Sequence, residues 1–171
     1  MDLTIKPATA TLDVVTDMEA LRRAIDLTRR LEETKTPAPG TTEAEASTLR
    51  AEHDRMTDEL KAAADAVTRS TLTLTLRGLP SNQWGQIVLR CTRKDGTRDL
   101  NKLAQLALPA MATHAARADG TPVEASAQDL AAMAETLTDS QTMDALTLIQ
   151  SLNTPPTGLP KAALTLISST T

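Results

Sequence analysis

One tryptophan, no phenylalanine and no tyrosine in 171 residues is the feature that most narrows what this chain can fold into. Aromatic rings supply much of the buried area of most cores. Here the core has to be built from Leu, Ala, Val, Ile and Met. A base-stacking platform of the kind that single-strand nucleic-acid binders use is almost excluded for the same reason. The rest of the composition is ordinary, with 40% hydrophobic and 23% charged residues. The length suits one domain, or one domain with an appendage.

The period of the apolar residues divides the chain near residue 70. Before it, the pattern is helical. Thr16-Asp17-Met18-Glu19 has the form of a capping box, and Met18, Leu21, Ile25 and Leu31 follow, with Ala24 beside them. Thr36-Pro37-Ala38-Pro39-Gly40 stops this helix near Lys35. Thr42-Glu43-Ala44-Glu45 is a second box. Behind it Ala46, Leu49, His53, Met56, Leu60, Ala63 and Val67 make a heptad seam that runs to about Arg69. Two charged helices joined by a Pro/Gly linker predict a helical hairpin over 1–70. Its Ala-rich seam is weak for an autonomous coiled coil, so Leu49, Met56, Leu60 and Val67 are read as a partner-binding or self-association face.

At residue 71 the period becomes two. Thr71-Leu72-Thr73-Leu74-Thr75-Leu76 alternates strictly, which puts Leu72, Leu74 and Leu76 on one face of a strand. Leu3-Thr4-Ile5 is the expected sheet partner, the alternative being an edge offered to another chain. Gly78-Leu79-Pro80 then breaks the strand. A short helix follows with Trp84, Ile87, Val88 and Cys91 inward, and Trp84 is expected to anchor the core. After the Lys94-Asp95-Gly96-Thr97 turn come Leu100, Leu103, Leu106, Leu108 and Met111, with Pro109 permitting a kink or a helix start. His114 reads as part of an Ala-rich helix. Ser126 and Thr138 open two further capped helices, the first carrying Leu130, Met133 and Leu137, the second burying Met143, Leu146, Ile149 and Leu152. Lys161 to Ile167 reads as a short helix or a loose tail. The fold expectation is therefore mainly α: an N-terminal hairpin, one short Thr/Leu strand in a small sheet, and a C-terminal helical body over 71–171.

Little in the sequence points to chemistry. One Cys and two His cannot supply a zinc finger's ligand set, and a lone Cys91 in an apolar run reads as a buried, inert thiol. Phosphate-loop, dinucleotide-binding and nucleophile-elbow motifs are missing, so neither enzymatic activity nor a cofactor is expected. No apolar stretch reaches the ~18–20 residues of a membrane span. The N-terminal residues lack a secretory pattern, which makes a cytoplasm the expected location. Residues 1–70 carry 10 Lys+Arg and 14 Asp+Glu, against 8 and 8 in 71–171, so the acidic excess lies in the first part. Arg90, Arg93, Lys94, Arg98 and Lys102 form the basic cluster. Asp95 and Asp99 interrupt it, and it reads as a solvated helix end rather than a nucleic-acid site.

Leu74-Thr75-Leu76-Arg77-Gly78-Leu79-Pro80 followed by Gln83-Trp84 resembles a segment of the tail assembly chaperones of long-tailed phages of actinobacteria. Leu100-Asn101-Lys102-Leu103 and Leu108-Pro109-Ala110-Met111-Ala112 are similar to the segment that follows there. So are Ser126 to Leu130, Leu137-Thr138-Asp139-Ser140-Gln141, Leu146, Leu152-Asn153 and Pro155-Pro156 to its closing part. The resemblance covers about residues 50–163. It implies a protein of the host-cell cytoplasm that binds the tape measure protein before tail-tube subunits polymerise around it. It also implies a minority long form, made by frameshifting near the end of the short one, that recruits tail-tube protein. Leu159-Pro160-Lys161 is compatible with a slippery site. Two other classes stay open: a structural tail or head–tail completion protein, and a small helical dimeric regulator.

Overall fold

The computed structural model describes residues 4–34 and 40–155. The protein is mainly helical, with a small antiparallel sheet. The elements are β1 (Thr9–Val15), α1 (Met18–Glu33), α2 (Glu43–Ser70), β2 (Thr71–Arg77), α3 (Ser81–Cys91), α4 (Leu100–Met111), β3 (Ala112–Arg117), α5 (Ala127–Thr136) and α6 (Asp139–Asn153). Among the described residues, no helix is long and apolar enough to cross a membrane.

The sheet order is β1-β2-β3, so the Thr/Leu strand is central and is not the open edge that one of the two expectations allowed. Its partner on one side is Thr9–Val15. Thr4 and Ile5 lie outside every strand, Ile5 being 88% exposed, and Leu3 falls outside the described residues. The physical reason is the alternation of Thr9-Ala10-Thr11-Leu12-Asp13-Val14, which buries Leu12 and Val14 and exposes Thr11 and Asp13. Leu3-Thr4-Ile5 is shorter and runs into Pro7, which has no N–H for a ladder. Gly78 N donates to Ala8 O at 3.0 Å, and Thr16 N donates to Ser70 O at 3.1 Å. These two bonds bracket the β1–β2 ladder, and Thr73 Oγ1 donates to Asp13 Oδ1 at 2.6 Å within it.

The third strand corrects the helix expected around His114. Pro109 stands in the last turn of α4, where its missing N–H and its ring oppose further helix. The chain turns directly into β3, and His114 is an exposed strand residue. The Asp119-Gly120 turn sends it back, with Val123 N donating to Ala115 O at 2.8 Å. Gly120 has φ +84°, a conformation that a side chain opposes.

Two compact units are present. One comprises described residues 13–34, 40–74 and 114–124, the other 4–12, 75–113 and 125–155. A boundary drawn at residue 70 does not include 114–124 with the first.

In the first unit α1 packs along α2, with residues 17–23 beside 59–66 and 30–34 beside 52–56. The α1 cap is Asp17, whose Oδ1 accepts from Ala20 N at 2.9 Å. Thr16, expected in that role, instead donates its hydroxyl to Ser70 O at 2.7 Å. The inward residue of α1 is Leu27, while Met18 is partly exposed and Ile25 is 59% exposed. Leu21, Ala24, Leu27 and Leu31 make the true stripe, at steps of three, three and four. The α2 capping box at Thr42 and Glu45 forms as expected, with both reciprocal bonds present.

The second unit is built around α4, which touches α3, α5 and α6. Leu103, Ala104, Ala107, Leu108 and Met111 are its buried residues. Leu100 is 44% exposed and Leu106 is half-buried. Two alanines on the buried face allow neighbouring helices to approach closely. Burial of each large side chain contributes roughly 1.5–3 kcal/mol. On α6 the exposed position is Met143 (56%) rather than a core one, and Ala145 takes its place beside Leu146, Ile149 and Leu152. The capping boxes at Ser126 and Thr138 both form.

Candidate partner-binding surfaces

The four large side chains of the α2 stripe sit differently. Met56 is buried, and Leu49, Leu60 and Val67 are half-buried. Ala46 and Ala63, from the same stripe, are buried, while His53 is exposed. Met56 lines a hollow of about 240 Å³ with Arg30, Glu33, Thr34 and Glu52. Leu49 lies at the other end of the seam, in an open hollow with Thr41, Ala44, Glu45 and Thr48. The stripe is thus partly spent on packing against α1, and the four residues do not form one continuous exposed patch.

A groove that periodicity did not single out lies between the start of α1 and the end of α2. It holds about 440 Å³ and is lined by Asp17, Glu19, Ala20, Arg23, Glu59, Ala62, Ala63 and Ala66. Arg23 and Glu59 pair across it at 3.3 Å, with the Arg23 side chain 62% and the Glu59 side chain 41% exposed. Arg22 holds Glu19 at 2.6 Å, and that bond lowers the Glu19 pKa. The only hint of this groove in the sequence is the alanine density at 62–66, which reads equally well as plain helix propensity.

The basic cluster is a turn with its own acids. Arg93 pairs with Asp99 at 3.0 Å, and Asp99 caps α4 through Lys102 N at 3.0 Å. The backbone bond from Lys102 lowers the Asp99 pKa, with Arg93 adding to it. Asp95 accepts from Thr97 Oγ1 at 2.6 Å, which lowers its pKa too. Both carboxylates are committed to shaping the loop between α3 and α4. The cations Arg90, Arg93, Lys94, Arg98 and Lys102 are exposed.

The residues expected in the core divide in two. Leu74, Leu76, Ile87, Leu146 and Ile149 are buried. Leu72, Val88 and Trp84 are half-buried, so Trp84 borders the core rather than filling it. Cys91 is buried, and burial raises its thiol pKa, as suits an unreactive side chain. Among the described residues, no three His, Cys, Asp or Glu side chains gather where they could hold a metal ion.

One junction joins segments far apart in sequence. The Gly78-Leu79-Pro80 break meets the end of α6. Leu79 N donates to Asn153 Oδ1 at 2.8 Å. Asn153 Nδ2 in turn donates to Ile149 O at 2.8 Å and lies 3.2 Å from Met111 Sδ. A Cβ on Gly78 would stand 2.6 Å from Leu152 O, so only glycine fits. A cleft of about 320 Å³ adjoins this junction, lined in part by Arg77, Leu79, Pro80 and Met111. Comparison with protein-family models, with curated proteins and with solved structures finds no match to this chain.

Proposed function

We propose that the chain is a phage tail assembly chaperone. In this reading it binds the tape measure protein in the host-cell cytoplasm and promotes tail-tube assembly around it, with neither a chemical step nor a cofactor. The observation that carries the proposal is the junction of Gly78 and Leu79 with Leu152 and Asn153. These pairs belong to two of the segments on which the family resemblance rests, and they lie 74 residues apart. A glycine required by a close approach, and an asparagine that satisfies a part-buried amide, are both reasons for such short motifs to occur together in one chain. On this reading α1 and α2 form a helical hairpin that presents the capturing surface, and α3 to α6 form the body that carries it. A minority long form, extended near Leu159-Pro160-Lys161, recruits tail-tube protein; those residues lie outside the described ones.

The test is co-expression with the tape measure protein encoded in the same genome. Tape measure protein alone is expected to aggregate. With a tagged copy of this chain it should stay soluble and be retained with the tag. The pair of substitutions Leu49→Asp and Leu60→Asp should abolish retention if the α2 face takes part. Tape measure protein that is soluble alone, or is never retained, overturns the proposal.

A further inference from the structure

We infer that the groove between α1 and α2 is the docking site for a basic amphipathic helix of a partner protein. The inference deepens the proposed function by naming a surface and the character of the captured segment; it rests on that reading only for the partner's identity. The groove has an apolar floor, Ala20 from α1 with Ala63 and Ala66 from α2, and a charged rim of Asp17, Glu19, Arg23 and Glu59. Its volume of about 440 Å³ falls within the ~300–1,000 Å³ of clefts that hold ligands. Elsewhere on the same two helices the buried residues include Leu27 and Met56, whose side chains reach well beyond Cβ. At the open end every contributor to the floor stops at its Cβ, and the seam keeps depth that no side chain of the unit occupies.

Size and charge decide the occupant. The groove runs from Asp17 to Arg23 along α1 and from Glu59 to Ala66 along α2. At 1.5 Å per residue that is about 10 Å. Two apolar side chains from one helix face, spaced i and i+7, span that distance. The rim sets three carboxylates, Asp17, Glu19 and Glu59, against the Arg23 guanidinium, with Arg22 paired to Glu19 beside it. The unit that holds the groove, residues 13–74 and 114–124, carries 10 Lys+Arg against 15 Asp+Glu, a net of −5; the remaining residues carry 8 against 7, a net of +1. The groove therefore lies in the acidic unit and favours a cationic occupant. The Arg23–Glu59 pair at its mouth is partly open to solvent, and surface pairs of this kind contribute little. A Lys or Arg of the incoming helix can take over Glu59 at small cost.

The test uses a helical peptide of about 20 residues with leucines at i, i+4 and i+7 and lysines flanking them, the spacing of an apolar stripe. A second peptide replaces each lysine with glutamate. Binding is read by fluorescence anisotropy on the full chain. Saturable binding of the lysine peptide is expected, with none of the glutamate peptide. The double substitution Ala20→Leu with Ala66→Leu fills the groove without changing charge, and should weaken binding at least tenfold. Circular dichroism verifies its fold; should it unfold, the rim variant Glu59→Lys decides, with the same expected loss. Equal affinity for the filled variant, equal binding of the two peptides, or no binding overturns the inference. So does a wild-type oligomer that the filled variant converts to monomer, which assigns the groove to a second copy. Tape measure protein that fails to co-purify while the lysine peptide binds removes the proposed function and leaves the groove assignment standing; the converse removes the groove alone.

Discussion

Asn153, the last residue of α6, accepts the Leu79 amide proton at 2.8 Å while its own side-chain amide donates back to Ile149 O. One side chain thus ties the break after β2 to the end of the last described helix. Asn153→Leu keeps much of the volume but leaves the Leu79 N–H unpaired in a part-buried place, at a cost of about 1–3 kcal/mol. Gly78→Ala should destabilise as well, through the clash with Leu152 O rather than through backbone torsion. Urea denaturation of both variants checks this. A midpoint shift within error of zero for Gly78→Ala would show that the close approach relaxes freely.

The α4 helix makes a sharper stability prediction. Leu103 and Leu108 are fully buried, and replacing either with Ala should cost about 2–5 kcal/mol. Ala107→Leu should also destabilise, by about 1–3 kcal/mol, because the extra methyl groups enter space already filled. Leu100→Ala and Met143→Ala, at exposed positions, should stay within about 0.5 kcal/mol. The contrast between Leu100 and Leu103, three residues apart, is the informative measurement.

Local signals carried most of the helical assignment, because capping is short-range chemistry. The boxes at Thr42, Ser126 and Thr138 are legible since both partners lie within four residues. Thr16 misled because a hydroxyl beside an aspartate leaves two candidate caps, and the choice depended on Ser70, 54 residues away. Likewise β3 and its His114 were hidden. Ala-rich sequence has high helix propensity, and only pairing with β2 overrides it. Buried alanines on α4 and α6 were missed because apolar periodicity weights large residues, whereas close helix contact selects small ones. Of the surfaces, the α2 stripe was visible as a period. The groove beside Ala63 and Ala66 needed the position of α1, which no pattern within α2 states.

Trp84 provides an optical check on the fold. As the one tryptophan, and half-buried on α3, it should emit between the values of a solvated indole and a fully buried one, and be partly accessible to acrylamide. Far-UV circular dichroism should be dominated by helix. A β-dominated spectrum contradicts the helix content, and a water-like Trp84 emission contradicts the packing of α3.

Acid should weaken the fold in a defined window. Glu45 is held below its ordinary pKa by the Thr42 amide and hydroxyl, and Asp129 by the Ser126 hydroxyl and amide. Asp95, Asp99 and Asp119 are lowered by hydrogen bonds within their turns and caps. A carboxylate whose folded pKa is depressed contributes stability that is present above its unfolded pKa and lost as pH falls through the folded one. The urea midpoint should therefore change little between pH 7 and about pH 5, and fall below about pH 4. Glu45→Ala should lower the midpoint at neutral pH and flatten its decline in acid. An equal decline in the variant would assign the acid sensitivity to other groups.

Cys91 offers the most direct test of the second unit's core. The thiol is 1% exposed at the end of α3, and burial raises its pKa, so the thiolate that reacts with disulfide reagents is scarce and covered. In native conditions the full chain should react with a thiol-exchange reagent far more slowly than in denaturant, at a rate set by opening of the α3–α4 region. Leu103→Ala, which loosens that region without touching the sulfur, should accelerate the reaction. Ile25→Ala, on the exposed side of α1 in the other unit, should leave the rate as it was. Rapid labelling of the native wild-type chain would contradict the burial of Cys91. Equal acceleration by both substitutions would show that the two units open together rather than separately.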